Sequence, residues 1–144
     1  MCDAFHEIMD ASVHSDSYIV IGRPWKENEQ LYNAAIVLYK GKVFHRHLKN
    51  ALPNYGVFDE KRIFQKGLPY NCIVFKNLKI GLLICEDMWT KDIAKRLLKQ
   101  KPDLFICGHS HILKIIYDNK NNLLHMNPGA IGKHGFHKKR TMIR

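Results

Sequence analysis

Lys79-Ile80-Gly81-Leu82-Leu83-Ile84-Cys85-Glu86-Asp87-Met88-Trp89-Thr90 is the stretch that decides the fold. Its unbroken apolar run, Ile80 to Ile84, predicts a strand buried on both faces. A thiol and two carboxylates follow at once. Thr90 then opens the run Lys91 to Gln100, with Ile93, Leu97 and Leu98 on one helical stripe and cationic residues elsewhere. Strand, sharp turn and helix together put Cys85 at the carboxyl end of the strand. Open α/β sheets bind ligands at that edge, where the backbone N–H groups of the turn face a developing anion. By residue type alone a lone cysteine reads as a small buried hydrophobe. This position makes Cys85 a candidate nucleophile instead.

Working outward, Tyr70 to Lys76 pairs with the central strand through a turn at Asn77-Leu78. Downstream, Pro102 and Asp103 lead into a strand over Leu104-Phe105-Ile106-Cys107, and Gly108-His109-Ser110-His111 follows. Strand 80–84, helix 91–100 and strand 104–107 then form one β-α-β unit with parallel strands. If those strands are neighbours, about 5 Å apart, Cys85 and His109 leave the sheet on one rim. The sequence therefore predicts His109 beside the thiol, with Cys85, His109 and His111 as a candidate cluster for a soft ion such as Zn²⁺. Lys114 to Tyr117 and Leu123 to Met126 form a hairpin around Asp118–Asn122. Asn127-Pro128-Gly129-Ala130-Ile131-Gly132 and a basic tail complete the chain.

The amino-terminal half predicts a helix over Asp3–Val13, with Phe5, Ile8 and Met9 at helical spacing. A strand follows at Tyr18–Ile21, stopped by Gly22 and Pro24. A second strand, Leu31–Tyr39, turns at Lys40-Gly41-Lys42 into Val43-Phe44-His45. Residues 48 to 68 lack periodicity, and a loop of that length in a small domain is either functional or disordered.

The 144 residues allow one domain, taken as 1–144, and the composition is globular: 46% hydrophobic and 25% charged. No apolar run has membrane-spanning length, and Asp3, Glu7 and Asp10 stand where a basic leader would be, so a cytoplasmic protein without membrane contact is expected. Cys2, Cys72, Cys85 and Cys107 form no C-x-x-C pair; Cys72 and Cys107 read as reduced core residues. The net charge of +10 gathers at Lys61, Arg62, Lys66, Lys76 and Lys79 and in the tail at Lys133, Lys138, Lys139, Arg140 and Arg144. Such a surface favours anions; the basic tail is the one nucleic-acid contact on offer, and no nucleic-acid motif accompanies it. His6, His14, His45, His47, His134 and His137 read as surface residues, and Trp25 and Trp89 as packing residues.

Two sets of motifs carry resemblances. Gly22-Arg23-Pro24-Trp25, Leu31-Tyr32-Asn33-Ala34, Lys49 with Leu52-Pro53-Asn54-Tyr55-Gly56-Val57-Phe58-Asp59-Glu60-Lys61-Arg62, and Ile84-Cys85-Glu86-Asp87-Met88-Trp89 resemble the nitrilase superfamily. Over residues 14–98 the likeness is to the glutamine-amidase domain of glutamine-dependent NAD synthetases. It implies a thioester mechanism with Cys85 as nucleophile, Lys49 as the lysine that stabilises the oxyanion and activates the thiol, and Glu60 as a supporting glutamate. A thiolate is the reactive species, and a nearby ammonium lowers a thiol pKa. The family's general-base glutamate has no matching position here, which leaves no candidate for the base, and acyl transfer is expected to be severely impaired.

Residues 100–144 resemble the carboxyl-terminal part of calcineurin-like metallophosphoesterases, through Gly108-His109-Ser110-His111 and Asn127-Pro128-Gly129-Ala130. The resemblance implies His109 and His111 as metal ligands and Asn127 as a residue at the substrate. The family's carboxylate-bearing motifs do not occur. Two imidazoles without oxygen ligands suit Zn²⁺ or Ni²⁺ better than Mn²⁺ or Mg²⁺.

The expectation is thus a chimera of two hydrolase types, an α/β fold forming a partial four-layer α-β-β-α sandwich with mixed sheets. Three functional readings follow. The first is a partial carbon–nitrogen hydrolase acting on a small amide such as glutamine, without a cofactor. The second is a metal-dependent phosphoesterase acting on a phosphate ester with Zn, Mn or Ni. The third is a non-catalytic basic domain that binds anions. The shortage of strands makes a homo-oligomer one way of completing the fold.

Overall fold

The computed structural model describes residues 4–68, 71–132 and 138–144. The chain divides into two compact units, Met1–Gly67 and Leu68–Arg144. In the first, helix α1 (Ala4–Ala11) precedes three antiparallel strands, β1 (Ile19–Glu27), β2 (Gln30–Tyr39) and β3 (Lys42–Leu48), in the order β1-β2-β3. Strand β2 is central, and Ala34 to Leu38 are all buried. Phe5 and Met9 of α1 pack on Ala34, Ile36 and Leu38, so the helix covers one face of the sheet. The turn between β2 and β3 puts Lys40 and Gly41 at positive φ, and the Gly41 amide donates to Ser12 Oγ, tying the turn to the end of α1.

Two sequence expectations for this unit are corrected. Gly22 and Pro24 do not stop β1, which runs on to Glu27. Because β1 is an edge strand, a residue without an N–H can sit in it without costing a ladder hydrogen bond. His47 is not on the surface: it is buried on β3, and burial, His47 and Arg46, in that order, lower the pKa of the neighbouring His45. Residues 49–67 are ordered and carry the short helix α2 (Glu60–Ile63). Their backbone is anchored by Gly67 N–H to Lys49 O at 2.9 Å and Gln65 N–H to Leu31 O at 2.7 Å.

The second unit is a five-stranded sheet in the order β4-β5-β6-β8-β7. Its strands are β4 (Ile73–Phe75), β5 (Leu78–Ile84), β6 (Leu104–Gly108), β7 (Leu113–Asp118) and β8 (Leu123–Pro128), with helix α3 (Lys91–Leu98) between β5 and β6. Strands β5, β6 and β8 are parallel, and the two edge strands run antiparallel to them. Only this second sheet is mixed. The β-α-β unit forms as the sequence predicts, with Ile84 opposite Gly108. The tight turn before β5 lies at Lys76-Asn77, one residue earlier than expected, because both residues take positive φ.

Leu97 and Ile93 of α3 pack on Leu83, Phe105, Cys107 and Leu123. Gly81 makes this possible. A Cβ there would lie 2.4 Å from the Phe105 ring and 3.7 Å from a Leu97 methyl group. Gly81→Ala is therefore expected to overpack the core and cost about 1–3 kcal/mol. Denaturant unfolding measures this, and Phe105→Leu in the same chain should return part of the loss.

Candidate functional site

Strand β5 ends in a single 3₁₀ turn, Cys85–Met88, that feeds α3. Cys85 stands at φ 47°, a left-handed conformation that costs a side-chain-bearing residue about 1–3 kcal/mol and recurs at functional sites. The surroundings hold it there. The fully buried Asp87 carboxylate accepts from the Ile84 N–H at 3.3 Å, and the Glu86 carbonyl accepts from Trp89 N–H, Thr90 N–H and Thr90 Oγ1 at 3.0–3.1 Å. The thiol is thereby presented on a sharp elbow at the carboxyl edge of a parallel strand.

The neighbouring strand supplies its partner. Gly108 lies opposite Ile84, so the next residues of β5 and β6 emerge side by side, and Cys85 Sγ meets His109 Nδ1 at 3.1 Å. Trp89 stands edge-on to the His109 ring, with centroids 5.5 Å apart. It is 61% exposed, which corrects its reading as a packing residue. The other two described thiols differ in kind. Burial, followed by the nearby Cys85, pushes the Cys107 thiol up to about 12. Burial also raises Cys72, against the opposing pull of Lys79. Both are free, as core cysteines should be; Cys2, His134 and His137 lie outside the described residues.

Beyond His109 the chain turns at His111, where φ is 59°. Asn127 donates from Nδ2 to Ser110 Oγ at 3.1 Å and accepts the Gly129 N–H on Oδ1 at 3.0 Å. Its amide thus ties the end of β8 to the histidine turn. Next to the pair lies a groove of about 750 Å³ over β6, β8 and β7, with Phe105, Cys107, Ile116 and Met126 among its lining residues.

In the first unit, Lys49 Nζ is held by both carboxylate oxygens of Glu60, each at 2.8 Å. Lys49 is 1% exposed and Glu60 20%. The structure thus brings together Lys49 with Glu60, and Cys85 with His109. His111 does not complete a soft-ion cluster: among the described residues no three His, Cys, Asp or Glu side chains are placed to hold a metal ion. The divalent metals that phosphoesterases of this type use prefer oxygen ligands, and His109 already faces a thiol, so these residues do not fit a two-metal centre. The sequence reading missed Trp89, the Ser110–Asn127 bond and the groove. The only signal for Trp89 was its place directly after the elbow.

The thiol thus stands on a left-handed elbow at the carboxyl edge of an α/β sheet, and the fold is carbon–nitrogen hydrolase-like, of the nitrilase superfamily, by its likeness to known proteins. The comparisons with known proteins agree. The chain is 39% identical over 93 residues to the glutamine-dependent NAD(+) synthetase of Aquifex aeolicus, an alignment taking in 65% of this chain and 16% of that protein. The solved glutamine-dependent NAD+ synthetase of Acinetobacter baumannii matches 76% of this chain and 20% of its own, with a TM-score of 0.65 and 36% identity. A carbon–nitrogen hydrolase from Helicobacter pylori G27 shares the fold at 21% identity and a TM-score of 0.60, over 82% of this chain and 40% of that one. The chain also belongs to the calcineurin-like phosphoesterase superfamily, whose domain matches residues 25–144. That span takes in most of the amidase-like segment as well as the histidine turn. No helix among the described residues is long and apolar enough to cross a membrane.

Proposed function

We propose that this chain is a partial carbon–nitrogen hydrolase-type acyl-transfer protein, with Cys85 as nucleophile and His109 as the base that takes its proton. The observation that carries this reading is the 3.1 Å contact between Cys85 Sγ and His109 Nδ1 on the strained elbow. A nucleophile and a base within hydrogen-bond reach form the minimal set for covalent catalysis. The thiol sulfur attacks the acyl carbon, the thiol proton passes to the imidazole, the leaving group departs, and water cleaves the thioester. This reading assigns the developing oxyanion to backbone N–H groups of the 85–88 turn. In this reading Lys49 and Glu60 correspond to the amidase family's lysine and supporting glutamate, and Asn127 positions the histidine turn beside the substrate.

Phosphodiester hydrolysis has the family match in its favour and the donor set against it, since His109 and His111 bring no carboxylate with them. The amide of glutamine, a poor leaving group, should turn over very slowly or not at all in this chain, none of whose residues matches the family's glutamate base. An activated acetyl ester should acetylate Cys85. Peptide mass mapping after exposure to p-nitrophenyl acetate, run beside a glutaminase assay, tests both statements. Acetyl on a residue other than Cys85, or glutaminase turnover at the rate of an intact amidase domain, would overturn the assignment.

A further inference from the structure

We infer that the groove beside Cys85 and His109 receives the apolar acyl arm of the substrate, so that the site takes medium-chain acyl esters or amides in preference to glutamine. This rests on Cys85 being the nucleophile. The groove's geometry follows from register. Phe105 is opposite His125 in the parallel pair β6–β8, and Ile116 is opposite His125 in the antiparallel pair β8–β7, so these side chains share one face of the sheet. Phe105 and His125 meet edge-on at 5.6 Å and pave the centre of the floor. Helix α3 packs over β5 and β6 on this face, through Leu97 against Leu83, Phe105 and Cys107, and the floor beyond it is open.

The ends of the groove differ. At the carboxyl edge of the sheet it begins with His109, Ser110 and Asn127, beside the thiol, and Met88 and Trp89 form the wall there. At the other end it reaches Asp118, Asn119 and Lys120 in the β7–β8 turn. Lys114 pairs with Asn127 and Asp118 with Leu123, so the floor runs four residues along the strands, about 13 Å. A two-carbon acyl group bound to Cys85 would leave almost all of that length unused. A glutamine with its side-chain amide at the thiol reaches only part of that length and leaves the apolar floor at Phe105 and Ile116 largely uncovered. An unbranched alkyl chain buries its methylenes on these residues and leaves its far end at the polar turn. The volume of about 750 Å³ is in the range of small-molecule sites.

Sγ bonds to the acyl carbon as His109 takes the thiol proton, the bond to the alkoxide, phenolate or amine breaks as that proton passes to the leaving group, and water then hydrolyses the thioester to the acid and the free thiol. The test compares p-nitrophenyl acetate with p-nitrophenyl octanoate below its micellar concentration. Acylation of Cys85 is followed by intact mass, in the parent chain and in Ile116→Glu. Ile116 is 45% exposed on β7, so a glutamate there puts a charge on the floor without burying it. Octanoyl transfer should be at least about tenfold faster than acetyl transfer in the parent, and Ile116→Glu, its fold checked by circular dichroism, should bring the ratio of the two rates to about one. Equal rates for the two esters, with Cys85 acylated by both, would overturn the groove and leave the nucleophile standing. An octanoyl advantage that survives in Ile116→Glu would likewise overturn it. No adduct on Cys85 from either ester would overturn the nucleophile and the groove together.

Discussion

Glu60→Ala is expected to destabilise the protein by about 3–5 kcal/mol, because it leaves an ammonium buried without its partner. Lys49 is 1% exposed, and both oxygens of Glu60 hold its Nζ at 2.8 Å. Taking an ion out of water is costly, and the pair persists because the two hydrogen bonds and the Coulomb attraction offset that cost. The same reasoning says that the charge itself is dispensable. Lys49→Met with Glu60→Leu removes both ions, and denaturant unfolding should show most of the stability restored. If Glu60→Ala unfolds at the parent's midpoint, the ammonium has found water or another acceptor. Lys49 and Glu60 would then owe nothing to each other in this chain.

His109→Ala is expected to slow acetylation of Cys85 by roughly 10²-fold or more, the range in which a positioned base contributes. The thiol would keep its elbow, since the conformation at Cys85 is fixed by Asp87 on the Ile84 N–H and by the Glu86 carbonyl, not by the imidazole. His111→Ala, two residues along the same turn, serves as the control and should leave the rate unchanged. A His109→Ala chain that acetylates at the parent rate would mean that the thiol uses a base from elsewhere, or none.

The part of the fold legible in the sequence is the part whose local signals agree. An apolar run followed by Thr90 and an amphipathic stripe can only be a buried strand and a covering helix, and Pro102 and Asp103 mark the start of the next strand. Handedness then makes β5 and β6 parallel. The meeting of Cys85 and His109 needed one further condition, that no strand lie between these two, and the structure meets it. What escaped was set by tertiary context. Pro24 reads as a strand breaker until β1 is known to be an edge. The hairpin β7–β8 reads the same whichever strand joins the sheet; the structure puts β8 inside, against β6, with β7 at the edge. That choice opens the apolar floor beside the thiol. His47 is polar by composition and buried by position, and Trp89 is apolar by composition and exposed by position. Both depend on what the neighbouring elements cover, which no local pattern records.

The central claim is that a thiol and an imidazole from two different motifs form one pair. Nitrogen-15 spectra of the histidine rings at a single pH test it most directly, comparing the parent chain with Cys85→Ala. Removing the thiol should shift the ring nitrogens of His109, whose Nδ1 lies 3.1 Å from Sγ, and leave those of His111 and His125 in place. Ring nitrogens of His109 unmoved by the loss of Sγ would contradict it.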